Sequence, residues 1–213
     1  GWFDICTIAM DKRPMEVMQK TLQVIRKADP EFKVSLAGNF HKELEADIYD
    51  YCIPIGASYP AEVLARRAQN NLPTTYYTCC TEAFPNTFTF SDPAEAAWMS
   101  YYSAKDHLDG YLRWAYNSWP KEPLLDSRFE AWAGGDTYLV YPGARSSIRF
   151  EKLIEGVQAH EKITILRKEF TDKKNKTGFK KLEKMLSTFN LRDFPEVPAA
   201  ETVNKANKIL NSL

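Results

Sequence analysis

Ile5-Cys6-Thr7-Ile8-Ala9-Met10, then Asp11-Lys12-Arg13-Pro14, then Met15, Met18, Leu22 and Ile25, is the stretch whose reading decides the fold. Its short continuous apolar run reads as a strand covered on both faces, the pattern of parallel sheets. Asp11 to Pro14 end the run. Pro14 suits the first turn of a helix, and the apolar residues after it recur at helical spacing as one stripe until Asp29-Pro30. Strand, loop and helix make half of a βα crossover, and the pattern repeats. Lys33 to Gly38, Tyr51 to Gly56, Thr74 to Cys79 and Gly110 to Ala115 read as further strands, with helical patterns at Ala61 to Gln69 and Pro93 to Leu108. This alternation predicts an α/β fold whose strands lie parallel and in chain order.

A closed (β/α)8 barrel typically takes about 250 residues and eight strands. The 213 residues with five strands therefore predict the later part of a TIM-type barrel, an open sheet, and a chain cut from a longer protein, with Gly1 where an initiator Met would stand. After the fifth strand a long connection with Pro120, Pro123, Gly134 and Gly135 leads into Tyr138 to Tyr141, and long ordered connections are often functional. A helix from about Ser147 to Phe170 follows, with Phe150, Leu153, Ile154 and Val157 as its apolar face. Six lysines between Thr171 and Lys184 read as a solvated helix face rather than an anion-binding patch, and a last helix lies near Val203 to Leu210. The expected division is a partial barrel domain, 1–170, and a helical extension, 171–213. The open sheet flank is expected to be covered by that extension or by self-association.

Composition narrows the function. Lys plus Arg equal Asp plus Glu at 28 each, so no global positive field points to nucleic acid or an anionic membrane. No apolar run reaches the roughly 20 residues of a membrane span, and no signal peptide precedes the first strand. Cys6, Cys52, Cys79 and Cys80 lack zinc-site spacing and read as free thiols. Gly-rich phosphate loops and a Gly-x-Ser-x-Gly elbow are missing, and His41, His107 and His160 are far apart, with His107 and His160 expected on exposed helix faces. The sequence thus calls for no metal and no cofactor.

In parallel α/β sheets functional groups gather where strands end. Here those positions hold Asp11 and Lys12, Asn39, Glu82, and the run Trp114, Tyr116, Asn117, Trp119. Indole and phenol side chains offer flat apolar faces with hydrogen-bonding tips, which suits a sugar ring. The same aromatics could equally fill a core. Glycoside cleavage needs carboxyl groups, and Asp11, Glu82 and Asp136 stand at suitable places, each with a turn or helix-cap role as the alternative.

Met10-Asp11-Lys12-Arg13-Pro14, Tyr76-Tyr77-Thr78-Cys79-Cys80 with Pro85-Asn86, Asp109 to Trp114 with Asn117 and Trp119, and Gly135-Asp136 with Tyr141-Pro142-Gly143 and Ser147-Ile148-Arg149 together resemble glycoside hydrolase family 123. The resemblance runs from about residue 3 to 170. It implies the C-terminal part of a (β/α)8 catalytic barrel, a secreted or periplasmic protein, and action on β-linked N-acetylgalactosamine. The implied mechanism is substrate-assisted and retaining: the acetamido oxygen attacks the anomeric carbon, an Asp orients the acetamido group, and the adjacent Glu is the general acid and base. That Asp maps to Asp11, whereas Lys12 stands at the Glu position. An ammonium with a reference pKa near 10.4 is a poor proton donor at neutrality, and losing general acid catalysis costs about 10²- to 10⁴-fold. The chain by itself is therefore expected to be inactive, a carbohydrate-binding or interaction domain on the same scaffold being the alternative. The resemblance implies an aromatic wall of Tyr77, Trp114, Tyr116 and Trp119 with Asn117 beside it, and with Asn39, Glu82 and Asp136 from the positions above these are the expected substrate-binding residues.

Overall fold

The computed structural model describes residues 2–213; Gly1, on which the expectation of a cut chain rests, lies outside the described residues. Five strands, β1 (Ile8–Asp11), β2 (Val34–Ala37), β3 (Asp50–Pro54), β4 (Thr74–Thr78) and β5 (Gly110–Arg113), form one sheet in chain order. Ile8 aligns with Val34, Ser35 with Asp50 and Tyr51 with Thr74, all in parallel register. The sheet is open. The helices are α1 (Met15–Ala28), α2 (Ala61–Gln69), α3 (Ala94–Lys105), α4 (Ile148–Asp172), α5 (Lys176–Leu186) and α6 (Ala199–Leu210).

The chain folds as two compact units, one running up to Tyr77 and including Leu108–Leu112, the other comprising Thr78–His107 and Arg113–Leu213. In the first, Met18, Leu22 and Ile25 of α1 are buried, as are Val34, Leu36, Tyr51 and Ile53 of the sheet. Arg67 on α2 is buried too. Its guanidinium donates to the carbonyls of Ile48, Tyr49 and Pro73 and pairs with Glu45, so one side chain satisfies backbone oxygens at the entrances of β3 and β4. One expectation fails. The first strand begins at Ile8, after a 3-10 turn over Phe3–Ile5, and it is not covered on both faces: Ile8, Ala9 and Asp11 are exposed. β1 is the edge of the sheet, and an apolar run by itself does not distinguish an edge strand from a central one.

In the second unit α3 is buried on every side, from Ala94 to Ala104. It packs against α4, α5 and α6. The axes of α3 and α4 come close at Gly156, where a Cβ would stand 2.9 Å from the Cα of Ala97 and 2.6 Å from Ser100 Oγ. The buried face of α4 is accordingly Gly156, Ala159, Ile163, Leu166 and Phe170, whereas Ile154 and Val157 of the expected apolar face are exposed. The close approach itself is made by small residues, Gly156 against Ala97 and Ser100, with large ones buried further along α4. α3 ends at Lys105, so His107 lies in the following turn with φ 55° instead of on a helix face.

Glu95 in the first turn of α3 is buried, its carboxylate accepting the N–H groups of Asn86 at 2.7 Å and Asp92 at 3.1 Å. Burial outweighs both bonds and pushes the carboxyl from 4.5 up to about 7. A raised folded-state pKa means that this group's stabilisation is complete below about pH 4.5 and is lost as the pH climbs to about 7, by roughly 3 kcal/mol at most. Urea unfolding across that window should give a falling stability in the parent chain and a flatter profile in Glu95→Gln. Parallel profiles would place the titration elsewhere.

Candidate active site

In the first unit the β1 end carries Asp11. Its Oδ1 accepts the Lys12 N–H at 2.8 Å and its Oδ2 pairs with Arg13 at 2.8 Å, both side chains well exposed. These bonds fix the carboxylate's orientation and leave lone pairs free, since a carboxylate has about four acceptor sites. Lys12 lies close against Gly38, whose Cβ would stand 3.1 Å from that of Lys12, and its Nζ is 6.0 Å from the centroid of the buried Tyr77 ring. That distance is the outer limit of a cation–π contact. Asn39 is exposed beyond β2. Its backbone is held by Tyr51, whose hydroxyl donates to the Asn39 carbonyl at 3.0 Å and accepts the His41 N–H at 2.9 Å. Phe40, Tyr51 and Tyr59 pack ring against ring beneath this loop.

In the second unit the connection after β4 turns tightly. Glu82 closes it, accepting the Cys79 N–H at 2.6 Å and the Thr81 hydroxyl at 2.5 Å. Cys79 and Cys80 are free thiols. Arg113 ends β5 and is almost fully enclosed; it pairs at 2.6 Å with Asp136, whose side chain is 0% exposed, and also donates to the Asp136 carbonyl and to Asn86 Oδ1. The same Asp136 oxygen accepts Trp114 Nε1 at 3.3 Å. Asp136 thus holds an arginine and orients an indole. Arg149 braces it from α4, donating to the carbonyls of Thr87 and Gly135. Gly135 has φ +76°, and a Cβ there would stand 2.6 Å from Arg149 Nη1, so glycine is required on both counts.

The sequence segments 113–119 and 134–143 meet in this unit. Leu139 N–H donates to the Tyr116 carbonyl, Ser118 N–H donates to that of Thr137, and Asn117 bridges Tyr138 antiparallel. The aromatics on this ladder are not core residues: Trp114 is 41%, Tyr116 48% and Trp119 37% exposed. Each is nevertheless fixed. Tyr116 packs edge-on against Phe150, and Trp119 Nε1 donates to the Val140 carbonyl at 2.7 Å. Asn117 is exposed among them. Trp132, which the sequence left unremarked, is 40% exposed with its ring 4.9 Å from that of Trp114. A lone indole in a polar, Pro- and Gly-bearing connection was the available signal. Among the described residues no cluster of three or more His, Cys, Asp or Glu could hold a metal.

Residues 1–166 match the glycoside hydrolase 123 catalytic domain. The chain belongs to glycoside hydrolase family 123. No curated protein matches it. Among solved structures it is similar to a family 123 glycoside hydrolase from Clostridium perfringens, described for the hydrolysis of glycolipid glycans, at 25% identity and a TM-score of 0.78. That similarity covers 99% of this chain and 41% of the other, so the family 123 chain described here spans less than half the length of that relative.

Proposed function

We propose that this chain is the later part of a family 123 (β/α)8 barrel that takes β-linked N-acetylgalactosamine by the substrate-assisted, retaining route, with residues 1–170 as its catalytic part and 171–213 as a helical extension. The exposed faces of Trp114 and Trp119, anchored at their indole N–H groups, and of Tyr116 between them carry the reading. Such faces match the apolar side of a pyranose, and Asn117 between them supplies amide donors and an acceptor for its hydroxyls or acetamide. Asp11 receives the acetamido N–H and so aims the carbonyl oxygen at the anomeric carbon. Asn39, Tyr77 and Glu82 line the strand ends as further sugar contacts, with Asp136 acting behind Trp114. The exposed edge of β1 is the flank to which earlier strands of the barrel add.

Lys12 favours a second reading, in which the domain binds the sugar without cleaving it. Its side chain stands where the resemblance places the carboxyl group that acts as acid and base. Hydrolysis of an aryl β-N-acetylgalactosaminide supports the enzyme, and calorimetric binding of the intact sugar without turnover supports the binding domain.

Trp114→Ala and Trp119→Ala should each weaken sugar binding by about 1–3 kcal/mol. Trp119→Phe should keep most of the affinity because the flat face remains while the bond to Val140 is lost. Variants that bind as the parent does but unfold more readily would return these indoles to a packing role.

A further inference from the structure

The chain has no net charge, yet Lys173, Lys174, Lys176, Lys180, Lys181 and Lys184 stand together with Glu183 as the single acid of residues 173–184. All six lysines are exposed. Lys173 pairs with Glu169 and Lys181 donates to Ser212, whereas Lys174, Lys176, Lys180 and Lys184 make no ion pair among the described residues. Lys176, Lys180 and Lys184 follow at i, i+4 and i+8, a spacing at which like charges oppose helix formation. The first turn of α5 has Lys176 and no acid, which also opposes the helix dipole. The helix is held instead by its other face, where Leu182, Met185 and Leu186 are buried. The lysine row therefore serves something other than folding.

Beside it lies a cavity of about 360 Å³ with Phe170 and Phe179 as its apolar wall and Lys174, Lys176 and Lys180 at its rim. Phe170 is buried, and Phe179 is 37% exposed. A row of cations with aliphatic stems around an exposed phenyl ring is the chemistry of an interfacial element, in which ammonium groups meet lipid phosphates and the ring enters the acyl boundary. We infer that the α5 face is a docking surface for an anionic phospholipid membrane. Charge complementarity selects the anionic lipid, and the apolar wall selects a bilayer surface over a soluble anion. The inference does not rest on the sugar reading.

The test is co-sedimentation of the chain with phosphatidylcholine vesicles, with and without phosphatidylserine and free of glycolipid. Binding is expected only to the anionic vesicles and should weaken steeply as salt is raised. The triple variant Lys176→Gln, Lys180→Gln, Lys184→Gln should lower the partition coefficient on the order of 100-fold. Phe179→Ser should lower it roughly tenfold. Replacing the same three lysines by Arg should preserve binding, which separates lost charge from lost folding. A charge-matched control, Lys20→Gln, Lys27→Gln, Lys42→Gln, should bind as the parent does. Equal binding to neutral vesicles, an undiminished triple glutamine variant, or an equal loss in the control would overturn the proposal. Retention on a soluble polyanion such as heparin with no vesicle binding would do the same.

Discussion

On the proposed reading, Lys12→Glu in a protein extended to a complete barrel is expected to raise kcat/KM for aryl β-N-acetylgalactosaminides by about 10²- to 10⁴-fold, the range that general acid catalysis supplies. The expectation follows from the pair at the end of β1: Asp11 is present and oriented by Arg13 and the Lys12 N–H, while the neighbouring side chain is an ammonium. The space beside Gly38 and the Tyr77 ring that accommodates the lysine also admits the shorter glutamate. The gain should be larger for poor leaving groups, because an activated phenolate departs with little protonation. The pH profile should turn bell-shaped once a carboxyl group shares the work of acid and base. Equal rates with Lys12 and with Glu at this position, for both good and poor leaving groups, would place the proton donor elsewhere, and Glu82 would be the carboxyl group to replace next.

The second large effect concerns stability and the aromatic wall together. Arg113→Met should cost about 3–5 kcal/mol in urea unfolding, because it leaves the Asp136 carboxylate, 0% exposed, without its cation. It also removes donors from the Asp136 carbonyl and Asn86 Oδ1. Asp136→Leu should cost a similar amount and release Trp114 Nε1 from its anchor. The double variant should be much less damaged than the sum of the two, since a buried ion pair replaced by apolar side chains is often nearly neutral whereas half a pair is not. Sugar binding should still fall in the double variant, because the Trp114 indole has lost the acceptor that orients it. Single variants that each cost under about 1 kcal/mol would mean that water reaches the pair.

The α5 lysines show how a tertiary structure changes a sequence reading without altering the residues. As a string, six lysines near one acid read as a solvated face. Placed beside Phe170 and Phe179 they form a charged rim on an apolar wall. The apolar stripe expected on α4 changed for a related reason. Its large residues Ile154 and Val157 signalled burial, but the approach of α3 required small residues, and Gly156 with Ala159 took the contact.

Local patterning alone determined the five strands, their parallel order and the helices between them, because period and punctuation are properties of neighbouring residues. It also located Asp11, Lys12 and the Trp114–Trp119 run at strand ends, since in a parallel sheet the end of each strand is fixed once its run is fixed. Only the tertiary structure decided what those positions face. β1 became an exposed edge, which depends on whether another strand lies alongside it and not on its own four residues. Arg67, Glu95, Arg113 and Asp136 were drawn inside although charge in a sequence reads as surface. A buried charged group needs partners that the fold supplies, and here Glu45 lies 22 positions from Arg67, Asn86 9 from Glu95 and Asp136 23 from Arg113. Conversely Trp114, Tyr116 and Trp119, whose hydrophobicity reads as core, were left with open faces because their polar tips were claimed by Asp136 and Val140 or their backbone by the 137–139 ladder.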